Sequence, residues 1–173
     1  MTSAQLISWV VSAITFGTVI MFGCIGETIN QKAGNLNLGV PGIMQLGGIG
    51  ALTGAFIYES STATPNGTIG MICALLCAIL ASALGSLIYS FLTVTLKANQ
   101  NVTGLTLTIF GTGIANFFGG SLMKLSGGVG SISVATTANV FKLRLPFISG
   151  KLGLFGSLFL NYGWMAYFCL VLA

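Results

Sequence analysis

The sequence predicts an all-α, polytopic bundle of transmembrane helices, with about five spans and one long loop outside the hydrocarbon region. Only 6 Lys or Arg and 2 Asp or Glu occur among 173 residues, too few to cover a water-soluble fold of this size. Hydrophobic residues make up 54% of the chain. They form runs of the length needed to cross a bilayer, which takes about 20 apolar residues in a helix.

The charged residues are kept out of the predicted spans. All of them fall between the apolar runs, as expected when a charge at mid-bilayer is costly. The net charge of +4 is dispersed, without a basic run or a basic helix face, so we expect no nucleic-acid partner. The charged residues are Glu27, Lys32, Glu59, Lys97, Lys124, Lys142, Arg144 and Lys151.

Four of the predicted spans follow one another closely. Residues 6–26 form the first apolar run, and residues 38–58 form a glycine-rich second run after a polar stretch. A Pro-Asn-Gly sequence, typical of a turn, separates the second run from the third, residues 69–96, which is the least interrupted. The fourth run, residues 102–123, is rich in glycine and threonine.

The sequence after the fourth run has a different character. Residues 124–151 carry four of the six basic residues and a proline, and they predict a structured loop outside the hydrocarbon region. The fifth run, residues 152–173, is either one span interrupted by Asn161 or a short interfacial helix followed by a span that begins near Tyr162. It stops without a polar flank. We therefore expect residues 1–173 to be one transmembrane domain that is truncated at the C-terminus.

Small residues one helical turn apart predict close packing between the second and third spans. Such residues let helix backbones approach each other, which is how membrane helices associate when hydrophobic burial no longer drives them. The second run contributes two glycines, and the third run contributes an unbroken series at spacing four. The predicted helix-packing residues are Gly50, Gly54, Gly70, Ala74, Ala78, Ser82, Ser86 and Ser90.

The composition excludes several kinds of chemistry. The chain has no His and no Asp, which excludes an imidazole-based zinc site, a Ser–His–Asp triad and a paired-aspartate protease. The four cysteines lie in apolar segments and are expected to pack as small hydrophobic residues. We expect no catalytic residue, no metal site and no cofactor bound by this chain, and hence a protein that is not an enzyme.

The most informative segment, residues 27–42, joins the first two runs. It mixes asparagine, glycine and proline with leucine and valine. Pro41 disfavours helix at Val40 and removes one backbone donor. Irregular backbone at membrane depth is tolerated where protein covers it or where it lines a water-filled cavity, as in many transporter sites. The alternative is an ordinary connecting turn followed by a helix with proline in its first turn, and the spacing does not decide between them.

A second polar segment, residues 97–104, lies between the third and fourth runs. Its amides, Asn99 and Gln100 among them, could cap a helix, bind another loop or face a pore. Physical chemistry favours capping, because asparagine is among the best residues at a helix N-cap.

At these two segments the chain resembles the permeases of ABC importers for simple sugars and nucleosides, in particular those that work with basic-membrane-protein-type binding lipoproteins. Their motif E-(R/K)-(S/A)-G-x-(I/L)-N-(I/L)-G-x-E-G-(M/I)-M is matched at residues 31–44 by Gln-Lys-Ala-Gly-Asn-Leu-Asn-Leu-Gly-Val-Pro-Gly-Ile-Met. A second family motif is matched at residues 96–105 by Leu-Lys-Ala-Asn-Gln-Asn-Val-Thr-Gly-Leu. Residues 145–148 and 152–159 resemble the external segment before the family's next span. Gln31 and Pro41 depart from the acidic residues usual there.

The resemblance implies a permease subunit that forms the translocation path of an ATP-driven importer for a nucleoside or simple sugar. It implies a multi-pass protein of the bacterial cytoplasmic membrane, with residues 27–36 and 97–103 on the cytoplasmic side and residues 124–151 outside. The implied partners are ATPase subunits that bind the ATP, a second permease subunit, an extracytoplasmic substrate-binding lipoprotein and membrane lipid. The motif backbone would be formed by Gly34, Gly39, Pro41 and Gly42.

Uncharged amides are the candidates for lining or gating that path, because neutral hydrogen-bonding groups suit a hydroxyl-rich solute better than an ion. The alternative function is a secondary transporter or channel that needs no ATPase. That alternative predicts internal inverted repeats or membrane-buried ionisable residues for ion coupling. The path candidates are Asn35, Asn37, Asn99, Gln100 and Asn116.

Overall fold

The computed structural model of the protein describes residues 3–125, 132, 134–141 and 162–173. Every element in that part of the chain is helical, which confirms the all-α prediction. A π-helical turn, Phe91–Thr95, directly follows the third helix. The helices are α1 (Ser3–Lys32), α2 (Val40–Ser61), α3 (Gly67–Ser90), α4 (Gln100–Leu125), α5 (Ala135–Phe141) and α6 (Trp164–Leu172).

Four of the described helical segments are long and apolar enough to cross a membrane. They are Ser8–Lys32, Val40–Ser61, Gly67–Thr95 and Gln100–Leu125. The chain is therefore a multi-pass membrane protein, as its composition predicts. The predicted fifth span lies partly outside the described residues, which include only α6 of that run. Most of the predicted external loop also lies outside them.

The first span continues further than its apolar run predicts. The break between the first two spans is predicted at residues 27–42, but α1 is helical to Lys32 and α2 begins at Val40. The polar residues that follow Gly26 are compatible with a helix, and the first strong helix-ending residue is Gly34. The irregular segment is therefore only residues 33–39.

The chain divides into two compact units, of which the first comprises residues 1–26 and 139–173. In this unit α6 packs on α1. The Cys169 thiol is fully buried and donates to the carbonyl oxygen of Thr18 at 3.7 Å. This cysteine fills space between two helices, which is the role of a small hydrophobic residue.

The second unit, residues 27–138, is built on the contact between α2 and α3. A Cβ atom added to Gly50 would lie 2.7 Å from the Cβ of Ala81 and 2.8 Å from the carbonyl oxygen of Cys77. At Gly54 the added atom would lie 2.7 Å from the Sγ of Cys77. The two backbones approach so closely that only glycine fits at these positions of α2.

The small-residue series of α3 follows this contact for only part of its length. Ala74 is buried, Ala78 and Ser82 are half-buried, and Ser86 is exposed. A step of four residues advances a helix by about 40° more than one full turn, so a series at spacing four gradually leaves the face on which it began. Near the end of α3 the buried small residue is Gly85.

A carboxylate ties α5 to the far end of the α2–α3 hairpin. The Thr137 N–H donates to Oε1 of Glu59 at 2.7 Å. The Thr137 side chain is 3% exposed, and its hydroxyl lies over Gly70, where an added Cβ would collide with it. That hydroxyl has no hydrogen-bond partner among the described residues. The contact fixes part of the segment that follows α4 onto the hairpin.

Candidate functional site

Residues 33–39, here named the clamped loop, join α1 to α2. The loop begins with a Schellman motif, in which the Gly34 N–H donates to Gln31 O and the Asn35 N–H donates to Asn30 O, both at 3.0 Å. Gly34 has a φ of +84°, a left-handed conformation that glycine adopts without the steric cost of a side chain. The last carbonyls of α1 are thereby satisfied, and the chain turns sharply towards α2.

The loop ends in a turn closed by an asparagine side chain. Oδ1 of Asn37 accepts from the Gly39 N–H at 2.9 Å, and Asn37 is 5% exposed. Pro41 then lies in the first turn of α2, where its missing N–H is not needed. Of the two interpretations of this segment, the structure therefore contains the connecting turn with proline in the first helical turn. The turn is nevertheless covered by protein at Asn37.

The peptide groups of Leu36 are held from two different helices. Its N–H donates to Oε1 of Gln100, at the start of α4, at 3.0 Å. Its carbonyl oxygen accepts from the Tyr89 hydroxyl, near the end of α3, at 2.8 Å. Nε2 of Gln100 also donates to Oδ1 of Asn35 at 2.8 Å. These three hydrogen bonds join segments more than 50 residues apart in sequence, so they fix the loop against the bundle.

The middle of α4 supports the other half of the loop. The Thr108 hydroxyl donates to the carbonyl oxygen of Leu38 at 2.8 Å. Gly104, one turn earlier, lies so close that an added Cβ would be 2.8 Å from the Leu38 nitrogen. Glycine at this position lets the loop lie directly on the helix backbone.

α2 and α4 cross at a pair of glycines immediately after the loop. A Cβ added to Gly42 would collide with the backbone of Leu107 and Thr108, and one added to Gly111 would collide with the backbone of Gly42. Gly42 and Gly111 are both buried. The crossing brings the two backbones into direct contact and sets where the clamped loop lies relative to α4.

Glu27 holds the loop from the side of α1. Its Oε1 accepts from the Asn37 N–H at 3.0 Å and from Nε2 of Gln31 at 3.4 Å. The other oxygen, Oε2, is buried and has no hydrogen-bond partner among the described residues. The loop is thus bonded to α1, α3 and α4 at once.

The two remaining path candidates, Asn99 and Asn116, lie apart from the clamped loop contacts. Oδ1 of Asn99 accepts from the N–H groups of Asn101 and Val102 at 3.0 and 3.3 Å, so Asn99 caps α4. Asn116 is exposed and lies about 24 Å further along α4 than Gln100, at a rise of about 1.5 Å per residue.

A groove of about 190 Å³ opens between the end of α3 and the start of α4. Its walls are mostly apolar, with hydroxyls from one tyrosine and two threonines. Tyr89 belongs both to this groove and to the contact with the clamped loop, so the two features adjoin. The lining residues are Ile88, Tyr89, Leu92, Val102, Thr103, Thr106 and Leu107.

The part of the chain that the structure describes contains no cluster of three His, Cys, Asp or Glu side chains able to hold a metal ion. The side chains that hold the clamped loop carry amides, hydroxyls and one carboxylate, that of Glu27. Such an arrangement can hold polar groups in place through hydrogen bonds.

Residues 9–173 match the model of a protein family described as branched-chain amino acid transport system / permease component. The chain belongs to this permease family. The match covers all four described spans and the clamped loop. It confirms the resemblance that the motifs at residues 31–44 and 96–105 indicate.

A relative from Haloferax volcanii carries the name putative glucose ABC transporter permease protein TsgC13. It is 33% identical over 120 residues, which cover 66% of this chain and 32% of that protein. The permease chain therefore spans less than half the length of this relative. No solved structure matches it.

In this permease the structure brings together three of the five path candidates, Asn35, Asn37 and Gln100. Two further residues that hold the loop, Tyr89 and Thr108, are not among the predicted candidates. A tyrosine near the end of an apolar run is the sequence feature that could have indicated Tyr89. A hydroxyl in such a place needs a hydrogen-bond partner when the ring is buried. Thr108 has no comparable signal, since a threonine in a membrane helix more often bonds to its own backbone.

Proposed function

We propose that this chain is the permease subunit of an ATP-driven importer and forms part of the translocation path for a simple sugar or a nucleoside. The clamped loop carries the proposal. It joins two spans of a permease-family chain, is bonded to three helices and brings uncharged amides to one place. Irregular backbone that is covered by protein, as this loop is at Asn37, is compatible with a place beside a water-filled path.

The chemistry of the loop favours an uncharged, hydroxyl-rich solute. The oxygen atoms of the Asn35 and Asn37 side chains accept hydrogen bonds within the protein. The NH₂ group of Asn35, which is half-buried, donates to no other described residue and can therefore donate to a ligand. Glu27, the carboxylate near the loop, already accepts from Asn37 and Gln31. The word glucose in the name of the Haloferax relative further supports a sugar.

The energy for transport comes from partner subunits in this proposal. ATPase subunits bind and hydrolyse ATP on the cytoplasmic side, a second permease subunit completes the path, and an extracytoplasmic lipoprotein delivers the solute. The chain itself binds no cofactor and catalyses no reaction. It works in the bacterial cytoplasmic membrane, with the clamped loop towards the cytoplasm, where it transmits movement from the ATPase to α3 and α4.

Uptake into proteoliposomes tests the proposal. The complete transporter, built from the full-length permease and its partners, is reconstituted and supplied with ATP and a panel of labelled solutes. The panel contains glucose, another hexose, a pentose, two nucleosides and a branched-chain amino acid. We expect ATP-dependent accumulation of a sugar or a nucleoside. Accumulation of the amino acid alone would refute the substrate class, and uptake that persists without the ATPase subunits would indicate a secondary transporter.

A further inference from the structure

Two backbone irregularities lie close together between α3 and α4. The π-helical turn, Phe91–Thr95, is closed by a hydrogen bond of 3.1 Å from the Leu96 N–H to Phe91 O, one residue longer than an α-helical turn. Lys97 has a φ of +53°, a left-handed conformation that a residue with a side chain seldom adopts. Both irregularities are uncommon, and both concentrate at functional sites.

The two ends of this segment are pinned to the same residue. Tyr89 and Gln100, which flank it, bond to the carbonyl oxygen and the N–H of Leu36. Residues 90–99 therefore form a connection whose ends are fixed on the clamped loop. A change of shape within this connection can occur while both anchoring hydrogen bonds stay in place.

The groove lies beside this connection. Leu92, in the π-helical turn, forms part of one wall, and Val102, in the first turn of α4, forms part of the other. Conversion of the π-helical turn to a regular α-helical turn would rotate the residues on its two sides by about 100° relative to each other. Because the ends are pinned, this rotation falls on residues 90–99, and among them it displaces Leu92, which lines the groove.

We propose that residues 90–99 are a two-state connection that opens and closes the groove. In the described state the π-helical turn and the left-handed Lys97 hold the groove open. In the second state the turn is regular helix, Lys97 leaves the left-handed region and the groove closes. A role of this change in solute transport rests on the proposed function. The existence of the two states does not, because it is a property of residues 90–99 themselves.

Two variants shift this equilibrium in opposite directions. Lys97→Gly removes the steric cost of the left-handed conformation and favours the open state, while Lys97→Ala keeps a Cβ atom and serves as its control. Deletion of Val94, which is exposed in the π-helical turn, removes the additional residue and favours the closed state. Val94→Ala keeps the length of the turn and serves as the control for the deletion.

Thiol labelling of the groove reads out the two states. Thr106→Cys, on the α4 wall, is introduced after the four native cysteines have been replaced by serine, and the full-length complex is labelled with N-ethylmaleimide in membrane vesicles. We expect labelling to be faster in Lys97→Gly than in Lys97→Ala, with an upper limit of roughly fivefold set by the usual cost of a left-handed residue. Labelling is expected to be slower by a similar factor after deletion of Val94, with both controls close to the parent.

The decisive result is a labelling rate that rises in Lys97→Gly and falls after deletion of Val94. Variants that merely loosened the structure would both be labelled faster. Changes in the same direction, or no change, would overturn the proposal. If the complex with Val94 deleted does not assemble, equal labelling of Lys97→Gly and Lys97→Ala is sufficient to overturn it. The assay needs no transported solute, so failure of sugar or nucleoside uptake leaves its result unaffected.

Discussion

Replacement of Gly111 by alanine is expected to force α2 and α4 apart at their crossing. The added Cβ would lie 2.8 Å from the Cα and carbonyl carbon of Gly42, whereas ordinary van der Waals contact begins at 3.4 Å. The two backbones would therefore have to separate locally by at least about 0.6 Å, the difference between these distances, because the Gly42 carbonyl oxygen lies closer still. The obstructing atoms belong to a helix backbone and cannot rotate away as a side chain could.

Overpacking of this kind lowers the free energy of unfolding by about 1–3 kcal/mol. Alanine also gains up to about 1 kcal/mol over glycine through helix propensity, which partly hides the clash. Gly113→Ala is the matched control, because it lies on the same helix and an added Cβ there meets no atom within 4 Å. Both variants gain the same helix propensity, so the difference between their free energies of unfolding reports the clash alone. We expect this difference to be about 1–3 kcal/mol.

The assay is unfolding of the full-length permease in detergent micelles, followed by circular dichroism as the denaturant concentration rises. We expect Gly113→Ala to unfold at or above the midpoint of the parent and Gly111→Ala to unfold clearly below the control. Equal midpoints for the two variants would refute the close crossing of α2 and α4.

Three further predictions concern the clamped loop and the start of α4, and the same unfolding assay measures them. Gly34→Ala should cost about 1 kcal/mol because of its left-handed φ, whereas Gly26→Ala, in open space within α1, should not destabilise. Asn99→Ala should cost about 1 kcal/mol through loss of the α4 cap. Tyr89→Phe should cost about 0.5–1.5 kcal/mol by removing the hydrogen bond to Leu36 while keeping the ring. An unchanged free energy of unfolding in any of these three variants would contradict the structural feature that the variant removes.

The spans were predictable because their signal is local. An apolar run of sufficient length is visible in sequence, and so is the proline that starts α2. The end of α1 was misplaced because hydrophobicity falls at Gly26 while the helix itself continues to Lys32. Polarity marks the edge of an apolar run, but the end of a helix is set by capping, here at Gly34.

The amide side chains of the site could be predicted from the sequence, but most of their hydrogen-bond partners could not. Asn35, Asn37 and Gln100 stood out as amides between apolar runs. Their hydrogen-bond partners come from helices far away in sequence, and nothing local identifies Tyr89 or Thr108 as those partners. The sequence of the π-helical turn, Phe91–Thr95, does not predict it either, because an apolar sequence with threonine is compatible with ordinary helix as well.

The proposed function requires that the clamped loop borders the route of the solute. The measurement that tests this most directly is thiol labelling at Ala33→Cys in the complete transporter, with the native cysteines replaced by serine. Ala33 is exposed at the start of the loop and its side chain is not used in the hydrogen bonds that hold it. We predict that a membrane-impermeant maleimide reacts there and that saturating transported solute slows the reaction severalfold, while a stereoisomer that is not transported has no effect. A labelling rate that is the same with and without the transported solute would contradict the account.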